Sequence, residues 1–322
     1  MTAADAILPD LALSAPAFDR RGDLRADPDL LPRLLADPAT RVVRLVGDRV
    51  AVTETPDGPR LVTTPPDPAD SGRLAVFLGE TEGATWVGVV ADDLGPTHPA
   101  DDLEVDPPAP VPGAVWHGLR RVGADLDPVG AAAFATTLAL GNWHRTHGFC
   151  PRCGEPTHPG LAGWIRRCSR DGSEHYPRTD MAVIMAVVDA DDRLLLARGR
   201  GFRRAGMSVL AGFVEPGETL ASAVAREVLE EVGVVVEEVT YLGDQPWPFP
   251  TSLMLGFTAR ALGTDLRLQE EEIAEARWFT RDELRAAVED GSVLVSGRIS
   301  ISRRLVEHWY GGPLDAPDLA LR

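Results

Sequence analysis

Apolar residues in this chain fall in short runs broken by glycine, proline and aspartate, a pattern of many short strands with helices set between them. In the N-terminal part the runs 42–46, 74–78 and 85–90 predict strands, and 114–121 predicts another. Asp127 followed by Pro128 reads as an N-cap with proline at the first helical position, opening an alanine-rich helix over 129–144. Further on, 181–188 and 193–197 flank Asp189-Ala190-Asp191-Asp192 and predict a hairpin, and 208–211 reads as a strand. The run 221–232 forms helix readily, and 241–243, 253–261 and 276–279 are further strand candidates. Thr280 and Glu283 form a capping box for a helix over 282–289, and 298–309 reads as a terminal helix. Strands and helices interleave as in an α/β/α sandwich built on a mixed sheet.

Between 95 and 113 the composition turns to proline and aspartate, which suits a linker or a long surface loop. The 322 residues suffice for two or three domains, and 44% hydrophobic content is ordinary for globular protein. A net charge of -17 argues against duplex DNA as a partner, since backbone binding relies on lysine and arginine; it permits a nucleotide held through a metal. The first residues lack the basic start and apolar stretch of a signal peptide, and no run reaches eighteen apolar residues, so a soluble, cytoplasmic protein without a membrane partner is expected.

The sharpest chemical signal lies at 212–234. Gly212 and Gly217 bracket a turn, Arg226 and Glu227 follow, then Glu230 and Glu231, and Gly233 stands where a helix C-terminus accepts positive φ. On a helix, Glu227, Glu230 and Glu231 sit at i, i+3 and i+4 and share one side. A solvated acidic face would need no flanking glycines and no arginine at fixed spacing. Three gathered carboxylates suit a hard divalent ion, Mg2+ or Mn2+, that would neutralise a pyrophosphate and acidify an attacking water. The spacing is that of a Nudix box.

All three cysteines are close in sequence: Cys150 and Cys153 in a Cys-x-x-Cys-Gly turn, and Cys168 shortly after. Thiols so few and so grouped point to structural Zn2+ rather than to disulfides. The fourth ligand is open. Asp171 holds the position a second knuckle would use, and His175 and His158 are nearby alternatives. Downstream of the box comes Gln245-Pro246-Trp247-Pro248-Phe249-Pro250-Thr251-Ser252, preceded by Asp244. Alternating prolines hold two aromatics at low entropic cost, as stacking on a flat heterocycle requires. A pyrophosphate-cleaving box beside an aromatic platform implies a dinucleotide.

From about Leu119 onward the order of ribbon, box and array resembles the NADH pyrophosphatases of the Nudix hydrolase superfamily. The resemblance implies an N-terminal β-rich, Nudix-like domain (1–143), a zinc ribbon (144–178) and a catalytic domain (179–322). It implies metal ligation by Glu227 and Glu231 with Glu230, the carbonyl of Ala211, and Glu272. It further implies that Arg120, Tyr176, Gln245 to Ser252 and Ser302 line the nucleotide site, and that the protein is a homodimer. The expected reaction is hydrolysis of NAD(H) to NMN(H) and AMP, with removal of NAD caps from RNA 5' ends as a related activity. Three positions depart from the family pattern: Asp244 for a serine, Gly163 for a substrate-contacting glutamate, and Asp171 for the last zinc cysteine. Competing readings are a broader nucleoside diphosphate hydrolase acting on ADP-ribose or diadenosine polyphosphates, and a noncatalytic NAD sensor, for which a decayed box would speak.

Overall fold

The computed structural model describes residue 8 and residues 11–91, 108–319 and 321. Most of the proline-rich linker lies outside the described residues. The chain forms two compact units, one comprising Ala15–Thr179 with Trp247–Thr251, the other Met1–Ser14, Asp180–Pro246 and Ser252–Arg322.

In the first unit, helix α1 (Leu30–Ala36) precedes strands β1 (Arg41–Val46), β2 (Arg49–Thr55), β3 (Gly58–Leu61), β4 (Leu74–Thr81), β5 (Ala84–Val90) and β6 (Ala114–Gly118). Their order is β3-β2-β1-β5-β4, with β6 on the other side of β2. β1 and β5 run parallel, Val43 facing Gly88. α1 sets leucines against Val42, Ala75, Val87 and Val89. The strand expected to reach Arg121 stops at Gly118, and Leu119–Val122 turns into the short helix α2. Leu119 and Val122 are both buried while Arg120 and Arg121 face out, a spacing of three that a strand cannot satisfy. Helix α3 (Pro128–Thr146) starts at the expected cap, where the Asp127 carboxylate accepts from Val129 and Gly130. α3 lies close on β5 because Gly88 has no Cβ; one placed there would meet Thr137 Oγ1 at 2.4 Å. The ribbon strands β7 (Thr157–Gly160), β8 (Ile165–Cys168) and β9 (Glu174–His175) complete this unit as a small antiparallel sheet.

The second unit contains β10 (Asp180–Val188), β11 (Leu194–Gly199), β12 (Leu210–Phe213), α4 (Leu220–Val232), β13 (Val236–Trp247, whose last residue belongs to the first unit), β14 (Ser252–Ala261), β15 (Ile273–Phe279), α5 (Arg281–Glu289) and α6 (Ile301–Tyr310). The order is β13-β14-β10-β11-β15, and β12 pairs with β10. β10 and β14 are parallel along their whole length. Side chains alternate along β10: Val183, Met185 and Val187 bury against Ala223, Val224, Val228 and Val232 of α4, while Ile184 and Ala186 join Leu284 of α5 and Leu305 of α6. The sheet is therefore covered by helix on both faces, as the interleaved pattern predicted. The β10–β11 hairpin is paired at Val188 and Leu194, whereas residues 182–185 of β10 pair with β12. β13 is much longer than the expected 241–243. Asp244, Gln245 and Pro246 are strand rather than loop, and Pro246 is tolerated because β13 is the last strand in its sheet.

Candidate active site and metal centres

α4 owes its limits to two residues. The Thr219 hydroxyl accepts from Ser222 N at its start, and Gly233, at φ 74°, ends it in the left-handed region. Its valines press onto the sheet, which carries Glu231 into partial cover at 7% exposure, with Glu227 half-buried and Glu230 exposed. Arg226 orders this set, pairing with Glu218 at 2.6 Å, Glu227 at 2.9 Å and Glu230 at 3.0 Å, and donating to the Phe213 carbonyl at 2.9 Å. Glu227 lies directly over β12. A Cβ on Gly212 would fall 1.9 Å from its Cδ, so only glycine allows the carboxylate to rest beside the backbone of Ala211 and Gly212.

Glu231 has no such counter-ion. Among the described residues its Oε2 is buried without a hydrogen-bond partner. Burial first, then the fields of Glu227, Glu272 and Glu230, push its pKa up to about 8. Glu227 is shifted the same way by burial, with Arg226 opposing. Glu272 reaches the group through the chain that follows β14: Gln269 N donates to the Glu231 carbonyl at 3.0 Å, and Glu272 N to Gln269 O at 3.0 Å. A buried carboxylate oxygen in the field of three other acids is the environment that a divalent cation relieves. The residues present fit a hard metal ion.

Trp247 to Thr251 of the array sit in the first unit. Trp247 and Phe249 meet edge to face with ring centroids 4.9 Å apart, and the Arg120 guanidinium covers Phe249 at 4.0 Å and Trp247 at 5.2 Å. Asn142 of α3 donates to the carbonyls of Pro248 at 3.2 Å and Pro250 at 3.1 Å, holding the turn between β13 and β14. Arg120 and the array, distant in sequence, are thus brought together. Tyr176 is exposed, its hydroxyl donating to Glu174 at 3.0 Å. Thr251 and Ser252 are half-buried at the end of the turn.

Gln245 and Ser302 are both buried. Gln245 is fully buried; it donates to the carbonyls of Ala12 and Ile299 and accepts from Ile301 N at 2.8 Å, bracing the start of α6. Ser302 is buried with its Oγ 2.7 Å from Ser208 Oγ. Their hydrogen bonds go to the protein itself. Asn142, Glu218 and Gln269 escaped the sequence reading: Glu218 had a signal in its place within the box, whereas nothing local marks the other two.

In the ribbon, the ligand atoms of Cys150, Cys153, Cys168 and Asp171 all lie within 4.8 Å of one another. His175 instead stands 3.3 Å from the Ser173 hydroxyl, and His158 is exposed on β7. Burial opposes ionisation of Cys150, but the backbone N–H of Arg152, the Ser173 hydroxyl and the Cys153 backbone outweigh it and bring the thiol to about 6. Asp171 is lowered to about 2, held by the Ser173 hydroxyl and N–H. Three thiols and a carboxylate packed this closely fit a tetrahedral zinc site, which takes the thiols as thiolates. Behind them, His144 is buried on α3, its Nε2 2.9 Å from the Gly163 carbonyl and its Nδ1 2.9 Å from Arg166, and burial lowers its pKa to about 4.

The helix-covered mixed sheet with its box on α4 defines a Nudix hydrolase. Residues 178–295 match the NUDIX domain, 145–176 the NADH pyrophosphatase zinc ribbon domain and 39–143 the NADH pyrophosphatase-like rudimentary NUDIX domain. An NAD-capped RNA hydrolase NudC of Mycobacterium bovis is 43% identical over 246 residues, covering 73% of this chain and 75% of the relative. One from Stutzerimonas stutzeri is 42% identical over 219 residues, 68% of this chain and 76% of that one. A solved NUDIX hydrolase from Nitrosomonas europaea is 22% identical with a TM-score of 0.40, covering 52% of this chain and 94% of its own. The chain belongs to the NADH pyrophosphatase family of Nudix hydrolases, whose curated members include the NAD-capped RNA hydrolases just named. Among the described residues no helix is long and apolar enough to cross a membrane.

Proposed function

We infer that this chain hydrolyses the pyrophosphate bond of NAD(H), giving NMN(H) and AMP, and removes the NAD cap from RNA 5' ends. The observation that carries the reading is the buried, unpartnered Glu231 carboxylate set against Glu227 and Glu272 on an intact Nudix box. Glu227 and Glu231, with Glu230, Glu272 and the Ala211 carbonyl, would hold Mg2+ or Mn2+. When bound, such a cation offsets the pyrophosphate charge and acidifies a coordinated water. Arg226 and Gly212 keep Glu227 in one position, so the acidic group is arranged before substrate arrives. The proton lost by the attacking water goes to a carboxylate, at Glu230, Glu231 or Glu272. Trp247, Phe249 and Arg120 offer aromatic faces and a cation to a nucleotide base.

The ribbon ligands Cys150, Cys153, Cys168 and Asp171 would hold Zn2+ in a structural role. Tyr176, Thr251 and Ser252 are assigned to substrate contacts on the family resemblance, which also supports a cytoplasmic homodimer. The test is incubation with NADH, ADP-ribose and an NAD-capped RNA in separate reactions with Mg2+ or Mn2+, followed by chromatography of the products. NMNH and AMP formed faster than ADP-ribose is cut supports the reading. Faster cleavage of ADP-ribose would move the protein to the broader nucleoside diphosphate hydrolases, and no metal-dependent cleavage at all would favour a sensor.

A further inference from the structure

A capped RNA differs from the free dinucleotide in the phosphodiester chain that follows it, and a protein of net charge -17 repels such a chain unless positive charge is concentrated where the RNA leaves the site. The stretch from 193 to 214 has that composition. From Arg193 to Val214 there is no aspartate or glutamate, while Arg193, Arg198, Arg200, Arg203 and Arg204 fall within it. Three of these are committed to the protein. Arg193 pairs with Asp189 at 2.7 Å, Arg198 with Glu275 at 3.4 Å, and Arg200 Nε donates to the Glu270 carbonyl.

Arg203 and Arg204 are exposed, and among the described residues neither side chain has a hydrogen-bond or ion-pair partner. The backbone that presents them is nevertheless tied down: Phe202 N donates to Gly199 O, Gly206 N to Arg203 O, and Arg203 N to Leu321 O at 2.9 Å. The same loop is joined to the acidic centre, since Arg200 N donates to the Glu272 carbonyl at 2.9 Å. Three residues span at most about 10 Å, which keeps Arg203 near the backbone of Glu272.

We propose that Arg203 and Arg204 form a landing for the phosphodiester backbone of single-stranded RNA attached to the cleaved dinucleotide. The proposal rests on the reading of the chain as an enzyme that also acts on capped RNA. Two guanidinium groups on a braced loop, unpaired among the described residues and a few residues along the chain from the backbone tie to Glu272, recognise phosphate without regard to base sequence. Free NADH has no phosphodiester chain to meet them.

The experiment compares Arg203→Ala/Arg204→Ala with the unaltered protein on NADH and on a short NAD-capped oligoribonucleotide over a range of salt concentrations. The expected result is a drop of about tenfold or more in kcat/KM on capped RNA at low salt, with NADH hydrolysis unchanged. Each phosphate contact on a single strand contributes about 0.7 to the log–log salt slope, so the slope should become shallower by about 1.4. Arg203→Lys/Arg204→Lys should recover most of the loss, because charge rather than fork geometry is what the contact uses. Unchanged cleavage of capped RNA overturns the proposal, as does a parallel fall on NADH, which would assign the loop to the dinucleotide. If the unaltered protein cleaves NADH but not capped RNA, the landing falls while the pyrophosphatase reading stands. If it cleaves neither, both fall.

Discussion

Two sheets in this molecule follow the same course through different sequences. Outward from the parallel pair, β5 carries β4 as β14 carries β13, β1 carries β2 as β10 carries β11, and β2 carries β6 as β11 carries β15. They part at the third strand, β3 lying against β2 and β12 against β10, and again where the chain leaves it. After β12 it builds α4 with the box; after β3 it makes only a 3-10 turn at Pro68–Asp70. Each sheet buries an acid near that point, and the two acids are treated oppositely. Asp70, 1% exposed, receives both Arg44 Nε at 2.9 Å and Arg44 Nη2 at 2.5 Å, and also Asp67 N at 2.8 Å. Glu231 keeps an oxygen with no partner among the described residues. A buried carboxylate that is fully paired serves the architecture, while one left uncompensated marks where a cation and chemistry belong.

The strongest way to break this contrast is to neutralise the two acids separately. Glu231→Gln should lower kcat by about a hundredfold to ten-thousandfold while circular dichroism and melting stay near those of the parent. Retained activity would remove Glu231 from the mechanism. Asp70→Ala should do the reverse, costing about 3–5 kcal/mol in denaturant unfolding by stranding Arg44, with kcat on NADH little changed in the folded fraction. An Asp70 variant that melts normally but has lost its kcat would erase the division of labour.

pH sharpens the comparison. His144 is held neutral, below its unfolded value, so the unfolded chain takes up the proton first and stability falls as pH drops from about 6.5 to about 4, by on the order of 3 kcal/mol. Glu231 runs the other way. Its folded pKa is raised, so without metal its contribution is lost as pH climbs from the ordinary carboxylate range toward about 8. Chelator-treated protein should therefore melt lower at both ends, with Mn2+ restoring the alkaline side and His144→Gln flattening the acid side. An alkaline limb indifferent to Mn2+ would argue against a metal at the acidic centre.

The smallest effect is expected at the array. Phe249→Ala removes the ring under Arg120 and should raise KM for NADH several-fold, about 1 kcal/mol, with kcat nearly constant. A loss confined to kcat would show that the ring positions reacting atoms rather than a base.

The acidic helix was legible because its three carboxylates need only local helical spacing to come together. Glu272 was visible only through family resemblance, since its arrival depends on the tertiary bond from Gln269 to Glu231. Arg120 over Phe249 likewise joins residues that no local pattern connects, and the short α2 that carries Arg120 read as a strand because its apolar residues are few. Gln245 shows the opposite difficulty: a polar residue within a recognisable array is occupied in bracing Ala12, Ile299 and Ile301, and burial cannot be read from its neighbours.

Gly212 carries a consequence in the currency of inheritance. Every single-nucleotide missense change in a glycine codon adds at least a Cβ, and here that atom would fall within 2 Å of the Glu227 carboxyl carbon. The position therefore has no mild neighbour in sequence space. Variation recovered from a mutagenised library should thin out sharply at this codon when selection is for activity, and fill in when selection is only for soluble expression, because the residue that must give way is the acid and not the core.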